Sequence, residues 1–181
     1  MRNLCPLFVA MMLALTLAGT ASARNQLELE GLLDVAFAAS IQRTDLDSGG
    51  DLGNGVGLNV NAGLQAGEHL AFLVGYEWQT GDDYDTHYFP VTVRAYSPLL
   101  LERLRFYATA GLGLFFTRMH SEFTPNGNQR AAAFDAGGGF QVDISEQIAL
   151  LVYARYQRGL GEVDDYESII QGLGFQYRWG L

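Results

Sequence analysis

Val56-Gly-Leu-Asn-Val-Asn-Ala-Gly-Leu-Gln-Ala66 decides the fold. Val56, Leu58, Val60, Ala62 and Leu64 fall on one side, and Gly57, Asn59, Asn61, Gly63 and Gln65 on the other. A period of two, with one oily and one wet face, is the signature of a β-strand. Outward from this stretch the pattern recurs from about Leu27 to Trp179. Its apolar faces run Leu33–Ile41, Val56–Leu64, Leu70–Trp78, Phe89–Ala95, Phe106–Phe116, Phe134–Val142, Ile148–Tyr156 and Ile169–Trp179. These are eight strands, joined by connections of two kinds. Gly67-Glu68, Pro98 to Glu102 and Ile144 to Glu146 are short. Asp45 to Asn54, Thr80 to Asp85, His120 to Arg130 and Gly159 to Glu167 are longer and more polar. Eight antiparallel strands place all the short turns at one end and all the long loops at the other.

The first residues read differently. Arg2 is a positive start, Leu7 to Leu17 is apolar except for Thr16, and Ala21-Ser22-Ala23 is a small-x-small cleavage site. Residues 1–23 are expected to be a secretory signal peptide and 24–181 one domain. The one cysteine, Cys5, precedes the apolar run, so the expected mature chain has no disulfide and no thiolate metal site. Lysine is absent, and without Arg2 ten arginines face twenty acids. A chain so acidic is a poor candidate for nucleic acid, and no such partner is expected, because phosphates demand basic patches. The glycines at 111, 113 and 137–139 lie inside strands, so they do not form a phosphate loop between a strand and a helix.

Which face points outward separates a soluble barrel from one that crosses a membrane. The apolar face carries Leu, Val, Ile, Phe and Ala. The other carries Gly, Asn, Gln, Thr and Ser with a few charges: Asp34, Glu77, Arg94, Arg105, Asp135, Arg155 and Arg178. An eight-stranded barrel has an interior just wide enough for side chains. Small and polar residues suit that lumen, and bulky apolar ones suit lipid. Aromatic placement agrees. Tyr76, Trp78, Phe89, Phe116, Phe134 and Tyr156 gather toward the long loops, and Phe72, Phe106, Phe140, Tyr177 and Trp179 toward the short turns. Two aromatic girdles around an aliphatic band are what membrane interfaces select. A soluble periplasmic barrel binding a lipid inside fits less well, because the lumen residues are polar.

On these features, and on the last segment Gly172-Leu-Gly-Phe-Gln-Tyr-Arg-Trp-Gly-Leu181, the chain resembles the small eight-stranded outer-membrane barrels, the class of the OmpA transmembrane domain and OmpX. The resemblance implies an all-β, eight-stranded, antiparallel up-and-down transmembrane barrel in the cell outer membrane. It implies a monomer that meets outer-membrane lipid and lipopolysaccharide and is inserted by the barrel assembly machinery. In that class the terminal strand usually ends in an aromatic. Here Gly180-Leu181 follow Trp179.

The charges of the inward face need partners in a narrow lumen. Closing the Ile144–Glu146 turn sets Asp135 opposite Arg155, and closing Gly67-Glu68 sets Glu77 opposite Asn59. A polar network including Glu77, Arg94, Asp135 and Arg155 is expected, as a plug in preference to an ion pathway. The outer loops are acidic, and Asp45-Leu-Asp-Ser-Gly-Gly-Asp51 has a faint likeness to a calcium loop through Asp45, Asp47 and Asp51. It lacks the flanking helices and the final Glu of such a loop, so solvated loops are the preferred reading and no metal or other cofactor is expected. Some barrels of the resembled class modify lipid A, one with a His-x-Ser pair. None of His69, His87 and His120 has serine two residues on, and His120-Ser121-Glu122 falls on a loop. A non-enzymatic role in envelope integrity or surface contact is therefore expected. A narrow porin-like channel is the alternative.

Overall fold

A computed structural model of the chain describes residues 29–44, 51–81, 84–119, 128–160 and 166–180. Residues 1–23, Asp45, Asp47, and the His120–Glu122 triplet lie outside them. The eight strands are β1 (Leu29–Thr44), β2 (Asp51–Ala66), β3 (Leu70–Gly81), β4 (Tyr84–Tyr96), β5 (Leu104–Met119), β6 (Asn128–Asp143), β7 (Ile148–Leu160) and β8 (Tyr166–Gly180). Each pairs antiparallel with its neighbours in chain order, and β8 closes on β1. Closure leaves no strand edge unpaired, which is what a lipid environment requires of a sheet.

The faces are as the alternation implies. Phe37 is 74% and Leu112 62% exposed, whereas Asp34, Glu77 and Asp135 are each 1% exposed inside the barrel. The apolar face is the outer one.

Two features differ from the sequence expectation. First, the strands are 12–16 residues long, whereas about 9–11 tilted residues cross a bilayer. They continue into segments read as loops: Asp51 begins β2, Gly81 ends β3, and Asn128 begins β6. Only two residues separate β3 from β4, fewer than the seven between β4 and β5. The ladder continues because each added pair satisfies backbone groups, whatever the polarity of the side chains. Second, the lumen is not lined by small and polar residues alone. Leu32, Ala71, Leu73, Tyr96, Tyr107 and Leu151 form an apolar layer near the short turns. Tyr88, Phe115, Ala133 and Tyr166 form another toward the loops, with the Phe115 and Tyr166 ring centroids 4.3 Å apart.

Glycines make room for this packing. Outside, the Trp179 indole lies across Gly31 on the neighbouring strand, covering a stretch of backbone that no side chain protects. Inside, Gly174 stands opposite Ala36 at the β1–β8 seam, and a Cβ there would overlap the Ala36 methyl and the Val35 carbonyl. These are backbone and Cβ atoms, which no rotamer change can move. Gly174→Val is expected to lose about 1–3 kcal/mol through overpacking, read as a lower urea midpoint for the folded barrel in detergent.

Candidate functional site: the lumen network

Three charged clusters occupy the lumen at different heights. At the mouth beside the short turns, Asp143 accepts from Arg105 at 3.2 Å, from Arg178 at 2.9 Å and from Gln141 at 2.8 Å. The Arg105 guanidinium also lies 5.6 Å from the Tyr96 ring centre. Above it, Arg94 pairs with Asp34 at 2.7 Å and stacks over Tyr107 at 4.8 Å. Gln176 donates to the same Asp34 carboxylate at 2.9 Å.

The third cluster is the most connected. Arg155 forms an ion pair with Glu77 and lies 3.7 Å from Asp135. Asn59 donates to Glu77 at 2.9 Å, Gln79 also donates to Glu77, and Gln42 donates to Gln79 at 2.9 Å. The Tyr88 hydroxyl donates to Asp135 at 2.7 Å. A cavity of about 40 Å³ lies between the second and third clusters, lined among others by Asp34, Asn61, Thr92, Arg94, Asp135 and Arg155. That is room for a few water molecules and no more.

Of the four residues expected to share one network, the structure brings Glu77, Asp135 and Arg155 together. It sets Arg94 in a separate cluster with Asp34 across the cavity. Glu77 does stand opposite Asn59. Asp135 does not stand opposite Arg155: its partner in the ladder is Gln157, and Arg155 faces Gly137. The reason is the turn. Ile144 and Ser145 both donate backbone bonds to the Ile148 carbonyl, so Gln147 belongs to the connection and the register moves by two. An even shift keeps every side chain on its own face, so Asp135 and Arg155 still meet as diagonal neighbours. Asp143 escaped the sequence reading because it borders the turn. Its inward parity with Asp135 and Gln141 was the available signal.

The balance of charge is informative. The clusters hold Arg94, Arg105, Arg155 and Arg178 against Asp34, Glu77, Asp135 and Asp143. These clusters are neutral in sum, so the net charge of −9 resides elsewhere. Among the described residues no group of three or more acid, His or Cys side chains is placed to hold a metal ion. Asp51 begins β2, while Asp45 and Asp47 are outside the described residues. His87 points outward, bonded through Nδ1 to the Tyr76 hydroxyl at 2.8 Å.

Comparison with known proteins agrees with this architecture. Residues 7–178 match the family described as outer membrane protein beta-barrel domain. No curated protein sequence matches the chain. Among solved structures, it is similar to Neisserial surface protein A, at 15% identity and a TM-score of 0.69, covering 82% of this chain and 97% of that one. It is similar to the attachment invasion locus protein Ail of Yersinia pestis, at 18% identity and a TM-score of 0.61, covering 84% and 99%. It is also similar to OprG of Pseudomonas aeruginosa, at 12% identity and a TM-score of 0.55, covering 87% and 99%. At these identities the likeness is one of fold. The family match, the closed eight-stranded barrel and its apolar outer face together make the chain a member of the outer-membrane β-barrel family, resident in the cell outer membrane.

Proposed function

We propose that this protein is a non-enzymatic outer-membrane barrel with a plugged lumen, acting in envelope integrity or surface contact through its acidic outer loops. One observation carries the reading: among the described residues the lumen holds two apolar layers and three ion-paired clusters, with a cavity of about 40 Å³ between the second and third clusters. A solute path would have to break buried ion pairs, and separating such a pair costs several kcal/mol. The Nδ1 of His87, on the outer face, is engaged by the Tyr76 hydroxyl and not by a serine or cysteine.

Purified protein in planar bilayers is expected to show no unitary conductance steps, while its heat-modifiable migration on detergent gels shows that the barrel is folded. Reproducible steps from folded protein would favour the narrow-channel reading instead. The lipid A mass spectrum of cells overproducing the protein is expected to match that of cells without it, and a new lipid A species would replace the non-enzymatic reading.

A further inference from the structure

The outer face carries a feature that the lumen plug does not use. Arg118 and Arg130 are exposed on adjacent strands, β5 and β6, and both have outward parity. Phe116 is the ladder partner of Arg130, and Arg118 lies one pleat further up the same face. Their side chains are diagonal neighbours, close enough for both to reach one small group. The Arg130 guanidinium sits 5.7 Å from the Phe116 ring centre. Neither arginine has an ion-pair partner among the described residues, whereas the comparable Arg158 on β7 is 3.6 Å from Glu167. Asp85 of β4 stands opposite Arg118. Among the described residues this edge therefore sets two guanidiniums against one facing carboxylate, on a chain whose net charge is −9.

Height fixes what the pair can meet. A strand rises about 3.3 Å per residue, or about 2.5 Å along the membrane normal at the usual barrel tilt. Phe106 and Phe116, ten residues apart on β5, thus bracket about 25 Å, the height of the apolar band of such barrels. Arg130 lies at the upper edge of that band and Arg118 about 5 Å above it, at the level of the outer-leaflet headgroups. Beneath them Phe116 packs edge-on against Phe89 at 5.9 Å, and Phe89 against Tyr76 at 5.1 Å, an unbroken aromatic shelf.

We propose that Arg118 and Arg130 form a binding site for the phosphate of an outer-leaflet phosphoglycolipid, whose acyl chains lie on the Phe116–Phe89–Tyr76 shelf. Two guanidiniums present paired N–H donors to phosphate oxygens, the geometry in which arginine recognition is strongest. The aromatic shelf provides the apolar surface that such a lipid needs below its headgroup. The site is on the wall of the barrel and does not depend on whether the lumen conducts or the loops bind a partner.

The test uses full-length folded barrel in detergent and three probes: bisphosphorylated lipid A, the same lipid A with its phosphates removed, and phosphatidylglycerol. Native mass spectrometry counts lipid retained per barrel. Wild type is expected to retain bisphosphorylated lipid A about tenfold or more over the phosphate-free form. R118A/R130A is expected to lose that preference, and R118K/R130K to keep part of it. Equal retention of phosphorylated and phosphate-free lipid A by wild type overturns the site, and this arm does not require any variant to fold. Equal retention of phosphatidylglycerol overturns its assignment to a glycolipid. Unchanged retention by folded R118A/R130A overturns the role of the two arginines.

Discussion

Arg155→Ala is expected to destabilise the folded barrel by about 3–5 kcal/mol, the largest effect of any single lumen substitution considered. Arg155 is the cation shared by Glu77 and Asp135, both almost wholly buried. Its removal leaves two carboxylates in the lumen with only neutral donors, Asn59 and Gln79 on Glu77 and Tyr88 on Asp135. Leaving a buried charge unpaired is far more costly than having no charge there at all. The triple variant Arg155→Met, Glu77→Gln, Asp135→Asn should therefore recover most of the loss, because it removes the charges and keeps acceptors for the surrounding donors. Arg94→Ala should cost less, since it strands one carboxylate, Asp34, which still accepts from Gln176. Urea unfolding in detergent, followed by the fluorescence of Trp78 and Trp179, measures all three. A triple variant as unstable as Arg155→Ala would mean that the loss does not come from stranding the Glu77 and Asp135 carboxylates.

The contrast between Arg155 and Arg94 also shows what a sequence can and cannot reveal in such a fold. Facing was legible because a period of two constrains every residue of a strand at once, and an even slip in register leaves it intact. The move of Asp135 from Arg155 to Gln157 changed a partner without changing a face. Pairing was not legible to the same degree. Arg94 meets Asp34 across the lumen, from strands that are not hydrogen-bonded to one another. Such a contact depends on the accumulated registers of β1 through β4, not on any local spacing. The lumen aromatics were missed for another reason. Tyr88, Tyr96, Tyr107 and Tyr166 have the parity of Glu77 and Arg94, opposite to that of Phe89 and Phe116. Read as strand-forming residues near the ends, they merge with the girdles. Read by parity alone, they separate into two apolar layers inside the barrel. Polar strand ends such as Asn128 read as loop because hydropathy reports the solvent and not the ladder.

Leu112→Arg tests the other half of the design, the outer face. Leu112 is at mid-height on β5, 62% exposed, between Val91 of β4 and Phe134 of β6. In water a leucine so exposed would be replaced by arginine at little cost. At the midplane of a bilayer the same change is expected to cost about 2–4 kcal/mol, because the guanidinium must be dragged out of hydrocarbon or must thin the lipid around it. Reversible urea unfolding in lipid vesicles gives the value. Phe116→Arg, one girdle higher on the same strand and the same face, should cost about 0–1 kcal/mol for its charge and somewhat more for the lost ring contacts with Phe89. The native arginines at 118 and 130 occupy the level where that charge penalty has already faded. A depth-dependent penalty along Leu112, Leu114 and Phe116 would set the hydrocarbon boundary on the strand itself. A flat and small penalty would mean that this face meets water, and the lipid-facing assignment of every apolar stripe in the barrel would fall with it.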